Sequence, residues 1–508
     1  MIKLLPAFVA IPLLTAFILP LFGNKNKSIA TTLANIAIMI LLVLSVLFVN
    51  KTGVYVMGQR TIPLGINLVI DGLSSLLLLA ISVVSFASML FSIRYMEQYT
   101  AKIKYLCLFM LMVTGMNGVV LSGDIFNLFV FLEIASIASY ALVGFGCEHE
   151  ELEASFKYMV LGSVASAFLL FAIALVYGNT ASLNIAYISG IIKSSGMNNG
   201  LSFALALFIV GFGLKAALVP FHAWLPDAHP SAPAPISAML SGVLIKALGV
   251  YALCRIIFNM FGPSVTIGWT LVALGVLSMV IGVFLAVGQW DMKRLLAYHS
   301  ISQMGYVVMG IGLGALILAE GGNKVWASLA IMGGLFHLMN HAVFKSLLFL
   351  MSGSVEMATG TRQLKKLGGL GRVMPVTRAV SFVASASIAG IPPFNGFWSK
   401  LILVVSAIGA GFYGLAGVTV LVSLVTLISF LKIQRYAFLG ELPENLQQVK
   451  ENKGSMLYAM VFLSCLCVFM GLILLVPSLR ENILQPAINV LMSGQGYAET
   501  IKKMAQLP

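Results

Sequence analysis

Charge is scarce in this chain. Asp, Glu, Lys and Arg make up 9% of 508 residues, where a soluble domain carries about 25%. With 60% apolar residues and a mean hydropathy of +1.01, a soluble fold is excluded. Cysteine is equally thin: Cys107, Cys147, Cys254, Cys465 and Cys467 form no C-x-x-C pair. An odd number at unrelated spacings argues against both a disulfide framework and an iron–sulfur cluster. No P-loop, no G-x-G-x-x-G after a strand and no nucleophile constellation occurs, so the chain shows no catalytic site of its own. Acids are outnumbered, 17 against 30 Lys and Arg, for a net charge of +13. The excess is spread over short loops rather than gathered into a basic tract, which points to membrane topology and away from nucleic acid.

What is abundant is apolar sequence. A span needs about 20 apolar residues to cross ~30 Å of hydrocarbon. That ruler predicts fourteen segments: 4–22, 29–49, 73–93, 105–122, 125–145, 156–178, 201–221, 236–258, 265–288, 295–318, 326–350, 376–405, 412–436 and 456–477. A polar-edged helix over 480–506 follows. The stretch from Lys3 to Phe22 lacks an A-x-A-like cleavage site and reads as the first helix, not a signal peptide. The expected fold is therefore an all-α polytopic bundle.

Loops after odd-numbered spans hold seventeen cations, among them Lys25, Arg94, Lys157, Lys293, Arg294, Arg362 and Lys432; the opposite side holds nine, among them Arg60, Arg255 and Lys502. By the positive-inside rule the richer side is cytoplasmic, which puts both termini outside in a cell membrane. Four cations remain, and they fall inside apolar spans: Lys215, Lys246, Lys345 and Lys400. One acid, Glu133, falls inside a span as well. Unpaired, these five charges would together cost on the order of 10 kcal/mol. Packing does not call for such groups. A buried lysine exchanges protons near neutral pH more readily than a free one, and a carboxylate close by restores its charged form. Glu133 and Lys215 on neighbouring helices would make such a switch, the competing reading being a structural buried ion pair. For Lys246 and Lys400 the competing reading is snorkelling to an interface, and for Lys345, whose repeat mate Lys157 sits at a helix end, a structural role.

His337 and His341 stand four apart, on one helical face with Asn340 and Lys345. They suit a proton relay between lysines, structural hydrogen bonding, or haem or metal ligation. The last needs histidines on a second helix, and His149, His222, His229 and His299 read as lying at helix ends or loops. The Pro-rich segment from His222 to Pro235 is not expected to be regular helix. His222 or Asp227 there would serve as a proton entry point or as part of a re-entrant link. Asp71, Asp124, Glu148, Glu150, Glu151 and Glu153 sit at span edges, as solvated groups or helix caps.

An internal repeat is visible. Leu218-Val219-Pro220-Phe221 in the seventh span matches Ile391-Pro392-Pro393-Phe394 in the twelfth, and Ser155-Phe156-Lys157 matches Val343-Phe344-Lys345. An offset of five spans, an odd number, inverts one copy relative to the other. The prolines break helices 7 and 12, which is tolerable only beside a cavity. The chain thus divides into 1–104 (helices 1–3), 105–258 (helices 4–8), 265–436 (helices 9–13) and 456–508 (helix 14 and the C-terminal helix).

At Asp71-Gly72-Leu73-Ser74, Gly123-Asp124-Ile125-Phe126-Asn127 on to Glu133, Gly213-Leu214-Lys215 through Asp227-Ala228, Asp291 to Ser300, His337 to Lys345 and Ile391 to Lys400, the sequence resembles the antiporter-like membrane subunits of respiratory complex I, membrane-bound hydrogenases and Mrp-type sodium/proton antiporters. The resemblance implies a fourteen-helix fold with two inverted five-helix repeats and ion translocation, of protons or sodium, along a mid-membrane chain of charges. In that chain Glu133 and Lys215 match the first-half pair and Lys246 the connecting lysine. His337 and His341 match the second-half linker, and Lys400 the terminal site. The lack of paired histidine ligands on a second helix and of cluster-forming cysteines predicts no redox cofactor in this chain, while the resemblance implies partnership with other membrane subunits, antiporter-like ones among them. The short tail after helix 14 favours the shorter members, and His299 stands where many relatives have Ser. Of the settings, a redox-driven complex is the first expectation, an Mrp-type antiporter with this chain as its D-like component the alternative, and a solute carrier working alone the third. Against the third, lysines lie in series here in place of a substrate-binding unwound helix.

Overall fold

The computed structural model describes residues 1–22, 26–59, 62, 63 and 65–505; Lys25 and Arg60, counted above for topology, lie outside them. Among the described residues, twelve helices are long and apolar enough to cross a membrane: Ile2–Phe22, Lys27–Leu47, Gly72–Gln98, Lys102–Leu121, Ile125–Val143, His149–Thr180, Ala234–Phe261, Val265–Val287, Met292–Ala319, Lys324–Thr359, Tyr413–Phe438 and Ser455–Leu472. The chain is a multi-pass helical membrane protein. Between these run two interrupted apolar segments. Asn199–Lys215 is followed by a break and the short helix Leu225–Ser231, while Pro375–Ala389 and Asn395–Gly409 flank a break at 390–394.

Helix starts follow local chemistry. Asp71 Oδ1 accepts from the Ser74 backbone at 2.9 Å, and Asp124 Oδ1 accepts from the backbones of Phe126 and Asn127. Glu148 and Glu151 form a capping box. The capping reading of these edge acids therefore holds.

Small residues set how closely the helices approach. Gly268, Gly275 and Gly282, seven apart, face Leu316, Met309 and Ser302 of the antiparallel neighbour; a Cβ at these glycines would meet that backbone at 2.6 to 2.7 Å. In lipid, where apolar surfaces gain little by leaving water, close backbone approach of this kind is what holds helices together.

Four expectations need correction. The fold is not all helical: Gly53–Val56 and Asn67–Ile70 pair as an antiparallel hairpin, whose four-residue strands are too short to register against the membrane ruler. Residues 222–235 include a seven-residue helix, Leu225–Ser231, which Pro226 permits because it stands in the first turn, where no intrahelical N–H partner is needed. The C-terminal segment is not one helix but Gln485–Met492 and Tyr497–Ala505 with a break between them; residues 506–508 are outside the description. A further helix, Ile185–Ser195, falls outside every segment the ruler picks, being too short to span.

Candidate functional site

The Ile125–Val143 helix lies close to Lys102–Leu121, since a Cβ at Gly115 would come within 2.6 Å of the Phe131 carbonyl. This turns Glu133, Ser136 and Tyr140 inward, spaced three and seven residues along one face. Lys215, the last residue of Asn199–Lys215, meets all three. Its Nζ stands 3.5 Å from Glu133 Oε1 and donates to Ser136 Oγ at 3.0 Å and to Tyr140 Oη at 3.3 Å. Ser166 donates to the same Glu133 oxygen at 2.5 Å. The lysine side chain is 3% exposed and the glutamate 27%. Gly162 makes room for this arrangement, because a Cβ there would collide with the Tyr140 hydroxyl.

Just beyond Lys215 the helix stops. Ala217 has φ +55°, a left-handed conformation that a Cβ-bearing residue adopts at a cost of about 1–3 kcal/mol. Neighbours hold the break open: Ser278 Oγ accepts from the Val219 backbone at 2.9 Å, and the Trp224 indole donates to the Leu214 carbonyl at 3.0 Å. Tyr158 stacks on that indole with centroids 4.1 Å apart.

Lys246 is fully buried in a helix that winds as π-helix over Leu240–Leu244, Lys246–Tyr251 and Arg255–Phe261. Its Nζ donates to the Ser241 carbonyl at 2.6 Å. The Ser241 hydroxyl in turn shares a 2.7 Å hydrogen bond with Ser300. A π turn shifts the backbone ladder by one residue, which changes which carbonyls are open to a side chain.

In the second half, His337 is held at both nitrogens, by Ser399 Oγ at 2.9 Å and Gln303 Oε1 at 3.1 Å. Tyr306 lies between it and Lys400, with its ring 5.2 Å from the imidazole and 5.0 Å from the lysine Nζ. Lys400 donates to the Ile388 carbonyl at 2.7 Å and to Ser423 Oγ at 3.1 Å. It therefore caps the negative end of the Pro375–Ala389 helix at the second break. Asn340 donates to the Asn395 carbonyl at 2.9 Å, which ties the histidine helix to the same break. His341 and Lys345 are fully buried and have no hydrogen-bond partner among the described residues.

The two candidate entry residues are not among these contacts. Asp227 forms ion pairs with Lys157 at 3.1 Å and Arg294 at 3.3 Å, at a partly exposed rim. His222 is half-buried in the first break.

Three expectations about charge change. Arg255, counted as a loop cation, is buried and pairs with Asp71 at 2.6 Å, so Asp71 is a buried ion-pair partner as well as a cap. Lys293, also counted with the loops, is buried beside Glu356 at 3.1 Å. His299, read as lying at a helix end, is buried inside Met292–Ala319 against Phe430. Sequence reasoning missed Ser136, Tyr140, Gln303, Tyr306 and Ser423. A usable signal existed for three of these: Gln303 and Tyr306 continue the face of His299, as Tyr140 continues that of Glu133.

These features define a class, the polytopic membrane proteins in which interrupted helices hold buried lysines together with a half-buried carboxylate and buried histidines. A family model described as "NADH:quinone oxidoreductase/Mrp antiporter, TM" matches residues 122–426, and one described as "NADH-Ubiquinone oxidoreductase (complex I), chain 5 N-terminus" matches 57–106. The chain belongs to this family of antiporter-like membrane subunits. It is 34% identical to a Na(+)/H(+) antiporter subunit of Alkalihalophilus pseudofirmus over 91% of this chain and 92% of that one. Among solved structures it is similar to a chain of the Mrp complex from Dietzia sp. DQ12-45-1b, with 29% identity, TM-score 0.87 and coverage of 98% and 99%. It is also similar to a chain of the membrane-bound sulfane sulfur reductase, an archaeal respiratory membrane complex, with 28% identity, TM-score 0.87 and coverage of 99% and 100%.

Proposed function

We propose that this chain is an ion-translocating, antiporter-like subunit of a multi-subunit membrane complex, working beside other membrane subunits that include further antiporter-like ones. The observation that carries the reading is the Glu133–Lys215 contact at 3.5 Å beside a helix break. A lysine 3% exposed with one carboxylate partner has two protonation states, and a small movement of either helix selects between them. Lys246, His337, His341, Lys345 and Lys400 continue the path across the bundle, with His222 and Asp227 at its entry. Counting the two interrupted segments, the chain crosses the membrane fourteen times, as two inverted five-helix repeats over 105–258 and 265–436, with 1–104 and 456–508 outside them. Both termini face out.

Two settings fit. Similarity to a Na(+)/H(+) antiporter subunit along nearly the whole of both chains favours an Mrp-type sodium/proton antiporter. An equal TM-score to a chain of a respiratory complex favours a redox-driven one. The test has two parts. Vesicles containing the assembled complex should move protons or sodium, and lose that movement in Glu133→Gln. The co-purifying subunits should contain iron–sulfur clusters in the redox setting and none in the Mrp setting. Full ion movement in Glu133→Gln would overturn the translocation role in either one.

A further inference from the structure

Away from the buried charges, a cavity of about 770 Å³ lies between the Lys27–Leu47, Gly72–Gln98 and Lys102–Leu121 helices. Its charged groups gather at one end. Lys27 begins one helix, Glu97 ends the next and Lys102 begins the third, so all three stand on the same side of the membrane. Lys102 is 8% exposed and spends one N–H on the Ile93 carbonyl at 2.7 Å, which leaves two for another acceptor. Running inward, one wall carries Thr31, Thr32 and Asn35 and then turns apolar at Ile36 and Met39, facing the apolar Phe86 and Leu90.

We propose that this groove binds one membrane phospholipid, with its phosphate between Lys27 and Lys102 and an acyl chain along Ile36, Met39 and Phe86. Depth selects a lipid over a partner helix. From Lys27 to Met39 is twelve residues and from Glu97 to Phe86 eleven, so the groove runs about 16–18 Å at 1.5 Å per residue. One leaflet is about 15 Å deep, whereas a spanning helix would need a groove of about 30 Å. The lining ends at Met39 and Phe86; beyond them Val43 and Val46 are exposed on the same helix.

Charge agrees with depth. Two lysines against one carboxylate leave a single positive charge, matching the single negative charge of a phosphodiester. Glu97 sits exposed at the mouth, where it repels a doubly charged anion and accepts from the amine of a zwitterionic headgroup. Basic pockets between helices at a membrane surface recognise lipid headgroups in this way.

The test uses the intact complex in mild detergent, with phosphatidylethanolamine or phosphatidylglycerol added and native mass spectrometry as the readout. One phospholipid per copy of this chain should stay bound, and inorganic phosphate should not displace it. Lys27→Gln should weaken retention about fivefold, the effect of one cation near a lipid surface. Ile36→Trp, which fills the chain channel at an exposed position, should abolish retention while leaving complex assembly intact. Unchanged retention in both variants would overturn the proposal. So would a photo-crosslinker at Ile36 that captures another subunit in place of lipid.

Discussion

Replacing Glu133 by Gln isolates the charge from everything else at the pair. The amide is nearly isosteric, and its oxygen still accepts from Ser166, which now bonds Glu133 Oε1 at 2.5 Å. What disappears is the attraction across the 3.5 Å to Lys215, worth about 5 kcal/mol at an effective dielectric constant near 20. The bonds from Lys215 to Ser136 and Tyr140 survive. Being present with and without the substitution, they do not replace the lost attraction. The charged state of the lysine then ceases to be one of two accessible states, and the switch stops. Lys215→Met removes the other half and strands the carboxylate, with the same result. Glu133→Gln, Lys215→Met and the double variant should therefore be about equally inactive. Two independent sites would instead multiply their losses. Lys215→Arg discriminates further, because it keeps a cation that does not deprotonate; it should be nearly as damaging as Met. The assay is ion movement into vesicles, normalised to assembled complex. Multiplicative losses, or near-normal movement by Lys215→Arg, would show that the lysine is only a structural counter-charge.

Gly162→Ala should drive the Tyr140 hydroxyl off Lys215, because the new methyl would overlap it. Ion movement should fall about tenfold or more, on the scale of one charged hydrogen bond, and Tyr140→Phe should reproduce the loss; normal transport in both would remove Tyr140 from the site. Single cysteines at the exposed positions Lys365 and Lys453 should resist impermeant reagents in intact cells, and ready labelling from outside would reverse the proposed topology. Spectra of the isolated chain should show no haem Soret band, since the expectation of no cofactor rests on unpaired histidines and scattered cysteines; a Soret band would refute it.

The buried lysines were legible because a charge in an apolar run is improbable on energetic grounds alone, and the edge acids because Asp and Glu cap helices in lipid as in water. Legibility failed where the decisive fact was a distance between helices. Arg255 reads as a loop cation since it lies within a few residues of a span end, yet its guanidinium turns inward to Asp71, which follows directly on the second strand of the hairpin. Lys293 and Glu356 each look peripheral until the two helix ends are brought together.

The π segments around Lys246 were illegible for a different reason. Hydrophobic periodicity separates helix from strand when one face is polar, but Ala234–Phe261 is buried on every side and has no face to report its winding. Packing there is close: Ala216 approaches so near that a Cβ at Gly249 would lie 2.5 Å from it. The consequence reaches the candidate path. Lys246 bonds the Ser241 carbonyl, five residues back, and the Ser241 hydroxyl meets Ser300, on the helix whose Gln303 holds His337. On the proposed path, Lys246 thus stands in a π-wound helix packed closely against its neighbours, and a substitution that changes that packing should be felt at Lys246.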